Sequence, residues 1–230
     1  MVDKAAPADF SFILTSSVHD MKNSLGVFLD SLAAMREALP PQSPEQAKTY
    51  AVLEYETARI NTELVQLLSF YHLQQEHLLV QIDQHHVIDI LDEQLVRNEV
   101  LFRSCGIQLT INCDENLSWY FDSELIGSVI NSILVNCSRY CRKHVHVSIE
   151  KQENMLCISI ADDGSGYPEG MLAAVSEIST DVLFLNSNPR PGLLFASRVA
   201  NLHRSKDIRG FIRLENSGPL GGGVFRLFLP

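Results

Sequence analysis

The sequence predicts an α+β protein in two parts, an N-terminal antiparallel helical hairpin over residues 1–76 and an α/β sandwich over residues 77–230. Two observations predict this division. The first 76 residues contain a single glycine and space their apolar residues at helical intervals. From residue 77 onward, segments of alternating apolar and polar residues stand between helical segments, which is typical of a sheet covered by helices.

The apolar residues of the first part form two heptad seams, which predict two long helices. Pro40 and Pro41 end the first helix, and Ser43 followed by Pro44 predicts the N-cap and first turn of the second. Because one hairpin alone has too little core, we expect two copies to pair as a four-helix bundle, which predicts a homodimer. The seams consist of Leu14, Val18, Met21, Leu25, Phe28, Leu32, Met35 and Leu39, and of Leu53, Thr57, Ile60, Leu64, Leu67 and Tyr71.

The second part alternates predicted strands with predicted helices. Short connections at 151–154 and 217–223 read as hairpins, so a mixed sheet fits better than a parallel doubly wound one. The predicted strands are 77–83, 107–113, 144–150, 155–162, 211–216 and 224–230, and the predicted helices are 86–104, 123–142 and 192–204.

Composition and charge exclude several classes of protein. The formal net charge of −10 argues against a nucleic-acid binder, which normally presents a basic face. No apolar segment approaches the roughly 18 residues of a membrane-spanning helix, and the N-terminus lacks the apolar region of a signal peptide, so we expect no membrane insertion. Five cysteines, an odd number without a CxxC pair, indicate reduced thiols and a cytoplasmic protein.

His19 is the first candidate for chemistry. It follows the seam residue Val18, which places it on the flank of the predicted bundle. Asp20 comes next and can hold the imidazole in one tautomer and raise its basicity, and Asn23 lies one turn further on. A neutral imidazole nitrogen can attack a phosphoryl group. On this segment alone, a surface histidine beside ordinary helix-face charges is the more common interpretation.

A second candidate is the glycine-rich turn that follows the strand at 155–162. Asp162 ends this strand, and Gly164 and Gly166 allow the backbone to turn sharply and approach a ligand. A carboxylate at such a position can accept a hydrogen bond from an exocyclic amine. A simple strand-ending turn is the alternative.

The helix predicted at 123–142 carries a third candidate. Asn136, Arg139 and Tyr140 share one face because they are three and four residues apart. An asparagine carbonyl can ligate Mg²⁺, an arginine can pair with phosphate, and a tyrosine can cover a base. A buried asparagine and a surface arginine without any ligand remain the alternative.

The order of these segments resembles the core of bacterial sensor histidine kinases, from about residue 8 to residue 230. HDMKNSL at 19–25 looks like the family's H-box, with Ser24 where proline is usual. NSILVNCSRY at 131–140 looks like the N-box, and DDGSG at 162–166 looks like the D-x-G-x-G box. The resemblance implies a dimeric helical hairpin followed by a Bergerat-type ATPase domain, the fold shared with gyrase and the Hsp90 chaperones.

The resemblance also implies partners and roles for the residues around His19. His19 is then the phosphoacceptor, which takes the phosphoryl group from ATP and passes it to an aspartate on a response-regulator receiver domain. Asp20 acts beside it. Asn23 matches the asparagine that also supports phosphatase activity in these kinases.

In the second part, the resemblance implies an ATP and Mg²⁺ site. Asn136 is the Mg²⁺ ligand, Arg139 the phosphate contact and Tyr140 the adenine-side residue on that match. Asp162 reads the adenine amine. The backbone of the glycine boxes, represented here by Gly164, Gly166 and Gly192, lies against the nucleotide.

The chain departs from the family at the second glycine box, which usually reads G-x-G-L-G-L. NPRPG stands at 188–192, so that only Gly192 survives, and Pro189 and Pro191 lack amide donors for a phosphate. Three functions therefore stay open. They are an ATP-dependent histidine kinase, an ATP-independent phosphotransferase that relays phosphate between receiver domains, and a non-catalytic adaptor that binds a receiver domain.

Overall fold

The computed structural model describes residues 7–47, 49–50, 52–53, 56–57, 60, 64, 80–176 and 191–230. The chain divides into two compact units, Met1–His77 and Leu78–Pro230. The assignment of residues 1–76 to dimerisation and phosphotransfer, and of residues 77–230 to an ATPase-like domain, stays a prediction. Within the described ranges, no helix is long and apolar enough to cross a membrane.

The first unit begins with helix α1, Pro7–Ala38. The helix runs without interruption through Ser24, whose hydroxyl donates to the Asp20 carbonyl over 2.9 Å. It ends two residues before Pro40, and helical residues resume at 44–47. The Ser43 hydroxyl accepts from the Gln46 amide over 3.2 Å, which confirms the predicted N-cap. The antiparallel packing of the two helices stays a prediction.

The seam of α1 is packed on one side only. Leu32 is buried, with 5% of its surface exposed. Met21, Phe28 and Met35, which follow one another at intervals of seven residues, expose 53%, 48% and 40% of their surfaces. An apolar stripe of this kind costs free energy in water, so the described part of α1 presents a surface that favours a partner.

The second unit is built on a five-stranded mixed sheet in the order β2-β4-β5-β9-β8, in which β2 and β4 are parallel and the other pairs are antiparallel. Two-stranded pairs β1-β3 and β6-β7 stand beside it. The mixed α+β architecture predicted from the sequence is confirmed. The strands are β1 Asp83–His86, β2 Gln108–Asn112, β3 Ser118–Phe121, β4 His144–Gln152, β5 Met155–Asp162, β6 Arg204–Ser205, β7 Ile208–Arg209, β8 Phe211–Asn216 and β9 Gly223–Leu229.

Four described helices accompany this sheet: α2 Val87–Cys105, α3 Ser123–Tyr140, α4 Glu169–Ser176 and α5 Pro191–Leu202. Helix α3 packs against α2 and α5, and α5 reaches β8 and β9. The registered trio Val147, Ile160 and Phe225 crosses three neighbouring strands and is buried. Together with Ile126 and Phe195 from the helices, these side chains form the core.

The strand predicted at 77–83 is wrong over residues 80–82, and residues 77–79 lie outside the described ones. Strand β1 begins at Asp83, the last residue of that prediction, and pairs with β3, a strand that the sequence did not predict. The physical reason is visible at Gln81, whose amide donates to the Asp122 carboxylate over 2.9 Å and not to a neighbouring strand. The short helix α4 and the β6-β7 hairpin were also missed.

A buried network joins the start of this unit to α3 and α5. The Asp122 carboxylate caps α3 by accepting from the Leu125 amide over 3.0 Å. The Asp122 amide donates to His203 Nε2 over 3.0 Å, and His203 Nδ1 bonds the Val199 carbonyl over 2.8 Å. The imidazole is therefore neutral, with its proton on Nδ1. Burial lowers the pKa of His203, and this outweighs the opposing effects of Val199 and Asp122.

We expect this neutral histidine to make the stability of the protein pH-dependent. The pKa of His203 lies below its ordinary value of 6.5 in the folded state, so the unfolded chain binds the proton first as the pH falls. Its stabilising contribution is fully present above about pH 6.5 and is lost below it, by up to about 1.4 kcal/mol for each pH unit until the folded pKa is passed.

Chemical denaturation of the wild type and of His203→Gln between pH 5 and pH 8 measures this effect. The glutamine variant is less stable at neutral pH but lacks the titrating group, so the difference between the two free energies of unfolding is expected to shrink as the pH falls. Parallel curves for the two proteins would contradict the expectation.

Candidate functional site

The second unit contains a cavity of about 150 Å³ between α3, the turn after β5, and the start of α5. One wall is a face of α3, where four residues follow one another at helical intervals of three, one and three. The opposite wall is the glycine turn after Asp162. The lining residues are Ile133, Asn136, Cys137, Tyr140, Asp162, Ser165, Gly166, Tyr167, Pro168 and Leu193.

The glycine turn lies unusually close to the end of α3. A side chain at Gly164 would overlap the Tyr140 carbonyl oxygen and would lie 2.7 Å from Asp162 Oδ1. The Gly164 amide donates to the same Oδ1 over 2.7 Å. Only a glycine permits this approach, because any Cβ atom would occupy the space of another backbone.

Asp163, which lies between Asp162 and Gly164 in the chain, holds the segment that follows α3. Its carboxylate accepts from the backbone amides of Arg142 over 2.7 Å and of Lys143 over 3.0 Å. It also contacts His144 Nδ1 over 3.0 Å. Burial raises the pKa of Asp163, but the hydrogen bonds from Lys143, His144 and Arg142 together bring this pKa well below its ordinary value. The carboxylate is therefore charged at neutral pH.

Asn216, at the end of β8, holds the other end of the turn. Its Oδ1 accepts from the Tyr167 amide over 2.7 Å, and its Nδ2 donates to the Tyr167 carbonyl over 2.8 Å. Gly166 has a φ of +77°, and a Cβ atom there would lie 2.6 Å from Asn216 Oδ1. The turn thus has fixed contacts on both sides.

Asp162 lies in close contact with Gly222, in the loop before β9, and with Gly223, the first residue of β9. A Cβ atom at Gly222 would lie 2.6 Å from the Gly164 amide nitrogen and 2.8 Å from Asp162 Oδ1. At Gly223 it would lie 2.9 Å from the Tyr167 ring and 3.2 Å from Asp162 Oδ2. This loop, which the sequence presents as an ordinary hairpin connection, therefore supports the carboxylate of the site.

The thiol in the cavity wall is not activated. Burial raises the pKa of Cys137 well above its ordinary value, and the nearby Asp162 and Cys141 raise it further. Burial also raises the pKa of Cys141 to about 11, with further contributions from Asp163, Asp162 and Cys105. Because the thiolate is the reactive form, Cys137 acts as a small apolar surface here.

The structure brings together most of the residues predicted for the second part. Asn136, Tyr140, Asp162 and Gly166 line the cavity, and Gly164 shapes the turn. Two others lie beside it. Arg139 is half-buried and does not line the cavity, and Gly192 is buried next to the lining residue Leu193. The roles of all these residues toward a ligand stay predictions.

Six residues that line the cavity are not among the site residues predicted from the sequence. Ile133 and Cys137 share the helical face of Asn136 and Tyr140, so the spacing alone was enough to find them. Ser165, Tyr167 and Pro168 continue the glycine turn directly. Leu193 follows Gly192 at the start of α5.

The residues proposed around the phosphoacceptor belong to the first unit. His19 is a residue of helix α1, and the structure describes its backbone but not its side chain. Asp20 and Asn23 are exposed on the same helix. These three residues are one turn apart or less along α1, and their roles stay predictions.

Comparison with known proteins gives relatives of one kind. No protein-family model matches the chain. The sensor histidine kinase CssS of Bacillus subtilis (strain 168) is 23% identical over 226 residues, which cover 95% of this chain and 46% of that protein. The sensor protein SrrB of Staphylococcus aureus (strain N315) is 19% identical over 150 residues, 64% of this chain and 26% of that protein. The chain thus spans about half or less of these relatives.

Solved structures share the fold. The Acinetobacter baumannii histidine kinase AdeS matches with a TM-score of 0.58 and 15% identity, over 92% of this chain and 96% of that one. Full-length ShkA in complex with AMPPNP matches with a TM-score of 0.61 and 16% identity, over 94% and 45%. The catalytic domain of histidine kinase ThkA matches over 65% of this chain and 95% of that one, with a TM-score of 0.54 and 17% identity.

The relatives by sequence are a sensor histidine kinase and a sensor protein, and the neighbours by structure include a histidine kinase and the catalytic domain of another. The solved structures share the mixed sheet with helices described above. The chain therefore resembles sensor histidine kinases in sequence and has the fold of histidine kinase structures.

Proposed function

We propose that this protein is a histidine kinase that transfers the γ-phosphoryl group of ATP to His19 and then to an aspartate of a response-regulator receiver domain. One observation carries the proposal most strongly. Asn136 and Tyr140 from α3 and Asp162 and Gly166 from the glycine turn, which lie far apart in sequence, line a single cavity.

The residues of this cavity fit an adenine nucleotide. The Asp162 carboxylate can accept a hydrogen bond from an exocyclic amine, and the Tyr140 and Tyr167 rings offer flat walls. A volume of about 150 Å³ matches the size of an aromatic ring system. The Asn136 amide oxygen is the group that would hold Mg²⁺, which supplies charge neutralisation for a transferred phosphoryl group.

The chemistry at His19 requires a neutral imidazole. One ring nitrogen attacks the γ-phosphorus, the bond from phosphorus to the bridging oxygen breaks, and ADP leaves with that electron pair. Asp20 supports the tautomer with the lone pair on the attacking nitrogen. In the second step the phosphorus–nitrogen bond breaks as an aspartate oxygen of the receiver domain attacks. Asn23, exposed one turn away, orients a water that attacks the aspartyl phosphate of the receiver domain, which releases inorganic phosphate and the free carboxylate.

The exposed stripe on α1 supports the homodimer of this proposal. Met21, Phe28 and Met35 are about half exposed, and Leu53 and Ile60 of the second seam expose 39% and 42% of their surfaces. A second copy of the same hairpin would cover both seams. Light scattering at micromolar concentration measures this, and a monomer would contradict the bundle.

Incubation with Mg²⁺ and γ-labelled ATP tests the proposal. The wild type is expected to acquire an acid-labile label, and Asp162→Ala is expected to lose both the label and nucleotide binding. A matched control is Asp92→Ala, which removes an exposed carboxylate from α2. Absence of label together with absence of nucleotide binding in the wild type would overturn ATP-dependent activity.

A second function is favoured by the start of α5. Pro191 is the first residue of this helix, and Pro189 precedes it by two residues in the sequence, so neither position supplies an amide donor to a triphosphate at this helix N-terminus. This supports an ATP-independent phosphotransferase. Transfer of label from a phosphorylated receiver domain to His19, without labelling by ATP, would select that function. Receiver binding without any transfer would select an adaptor. A cytoplasmic location is part of each alternative and rests on the cysteine pattern.

A further inference from the structure

We propose that Asp163 and Asn216 are positioning residues that hold the glycine turn from opposite sides and so give the cavity its shape. Neither residue lines the cavity. Both bond to the segments that do. The inference rests on the proposed function in one respect, that an adenine nucleotide is the ligand of this cavity.

Asp163 fixes the turn to the end of α3. The last lining residue of this helix is Tyr140, and the chain leaves the helix through Cys141, Arg142 and Lys143. The Asp163 carboxylate accepts from the last two of these amides, while the Asp163 amide donates to the His144 carbonyl over 3.2 Å. This side chain therefore ties the turn to the segment that leaves the helical wall.

Asn216 fixes the turn to the edge of the sheet. Its amide group makes one hydrogen bond as acceptor and one as donor to the same residue, Tyr167. This two-bond pairing resembles what a neighbouring strand would make, and it comes from the last residue of β8, which pairs with Gly223 of β9. Gly166 and Tyr167, both lining residues, are held by this contact.

The two side chains act at different ends of the turn. Asp163 follows Asp162 at the start of the turn, and Asn216 bonds Tyr167, four residues after Asp163. Since each bond fixes backbone whose position decides where Asp162 and Gly166 stand, loss of either is expected to widen the cavity. Loss of both bonds at Asn216 is expected to raise the dissociation constant of the nucleotide about tenfold, because a smaller fraction of the protein then holds the turn in the binding position.

The experiment uses a graded set of variants in the full chain. Asn216→Asp keeps the acceptor and removes the donor, and Asn216→Ala removes both. Asp163→Asn keeps an acceptor for the two amides, and Asp163→Ala removes every acceptor. Matched controls are Asn112→Ala, at the end of the edge strand β2, and Asp92→Asn, on α2, both exposed and outside the cavity.

Two quantities are measured below the unfolding transition. The first is the dissociation constant of an adenine nucleotide with Mg²⁺. The second is hydrogen exchange at the Gly164 amide, which bonds to Asp162 and to neither of the substituted residues. Exchange at this amide rises only if the turn itself moves, so it separates positioning from the simple loss of a bond.

The expected result is a graded effect. Exchange at Gly164 and the dissociation constant rise about tenfold in the alanine variants and less in Asn216→Asp and Asp163→Asn, whereas the controls match the wild type. Unchanged exchange at Gly164 would overturn the inference, and so would faster exchange without any loss of affinity. A wild type that binds no nucleotide contradicts the proposed function instead, and exchange at Gly164 then decides the inference.

Discussion

A chain with His19→Ala is expected to accept no phosphoryl group from ATP or from a phosphorylated receiver domain. The loss should exceed about a thousandfold, as for removal of an attacking nucleophile in other enzymes. Alanine has the highest helix propensity, so the interior of α1 should keep its helical structure. Acid-labile label on the purified chain, with circular dichroism and light scattering as checks on folding and assembly, measures the result.

The matched control is His86→Ala in the second unit. His86 is exposed at the end of β1, where its Nδ1 lies 3.1 Å from the Ser118 hydroxyl. This substitution should leave labelling of the chain unchanged. Full labelling of the His19→Ala chain, or loss of labelling only in His86→Ala, would show that the phosphoacceptor has been wrongly assigned.

The second large effect is expected at Gly164. Replacement by alanine should lower the free energy of unfolding of the second unit by about 2–3 kcal/mol, because the new methyl group overlaps the Tyr140 carbonyl oxygen and crowds Asp162 Oδ1. The Tyr140 oxygen belongs to the backbone, so it cannot rotate away from the new methyl group. The turn must therefore move, and nucleotide binding should be lost together with stability.

Gly170→Ala provides the comparison for this substitution. Gly170 lies in α4, and nothing stands within 4 Å of a Cβ atom built there. Since alanine favours helix over glycine by up to about 1 kcal/mol, this variant should be as stable as the wild type or slightly more so. Equal stability of the two variants in denaturant would contradict the crowding described at Gly164.

Much of the site follows from sequence because helical spacing and a glycine turn are local features. Asn136 and Tyr140 are four residues apart, and this alone places them on one face of α3. The same rule predicts Arg139 on that face as well, but the structure leaves it outside the cavity lining. Spacing on a helix thus predicts which residues are neighbours, but not where the wall of a cavity ends.

Contacts between distant segments could not be predicted in this way. Asn216 lies 49 residues from Tyr167, and no periodicity connects them. The error in the strand predicted at 77–83 has a similar cause. The Gln81 amide bonds the Asp122 carboxylate, 41 residues away, so strand pairing with β3 begins only at Asp83. In each case a side chain bonds a backbone amide in place of another strand, and the alternation of apolar and polar residues does not predict such a bond.

Gly222 and Gly223, which contact Asp162, lie later in the chain than the strand that carries Asp162, so the cavity can form only after they have been synthesised. Strand β9, which follows this loop, is the neighbour of β5 in the sheet and comes after β5 in the chain. During synthesis the helix that carries His19 therefore leaves the ribosome before the segment that supports Asp162. A nascent or truncated chain without β9 would present His19, the proposed phosphoacceptor, before the cavity around Asp162 is complete.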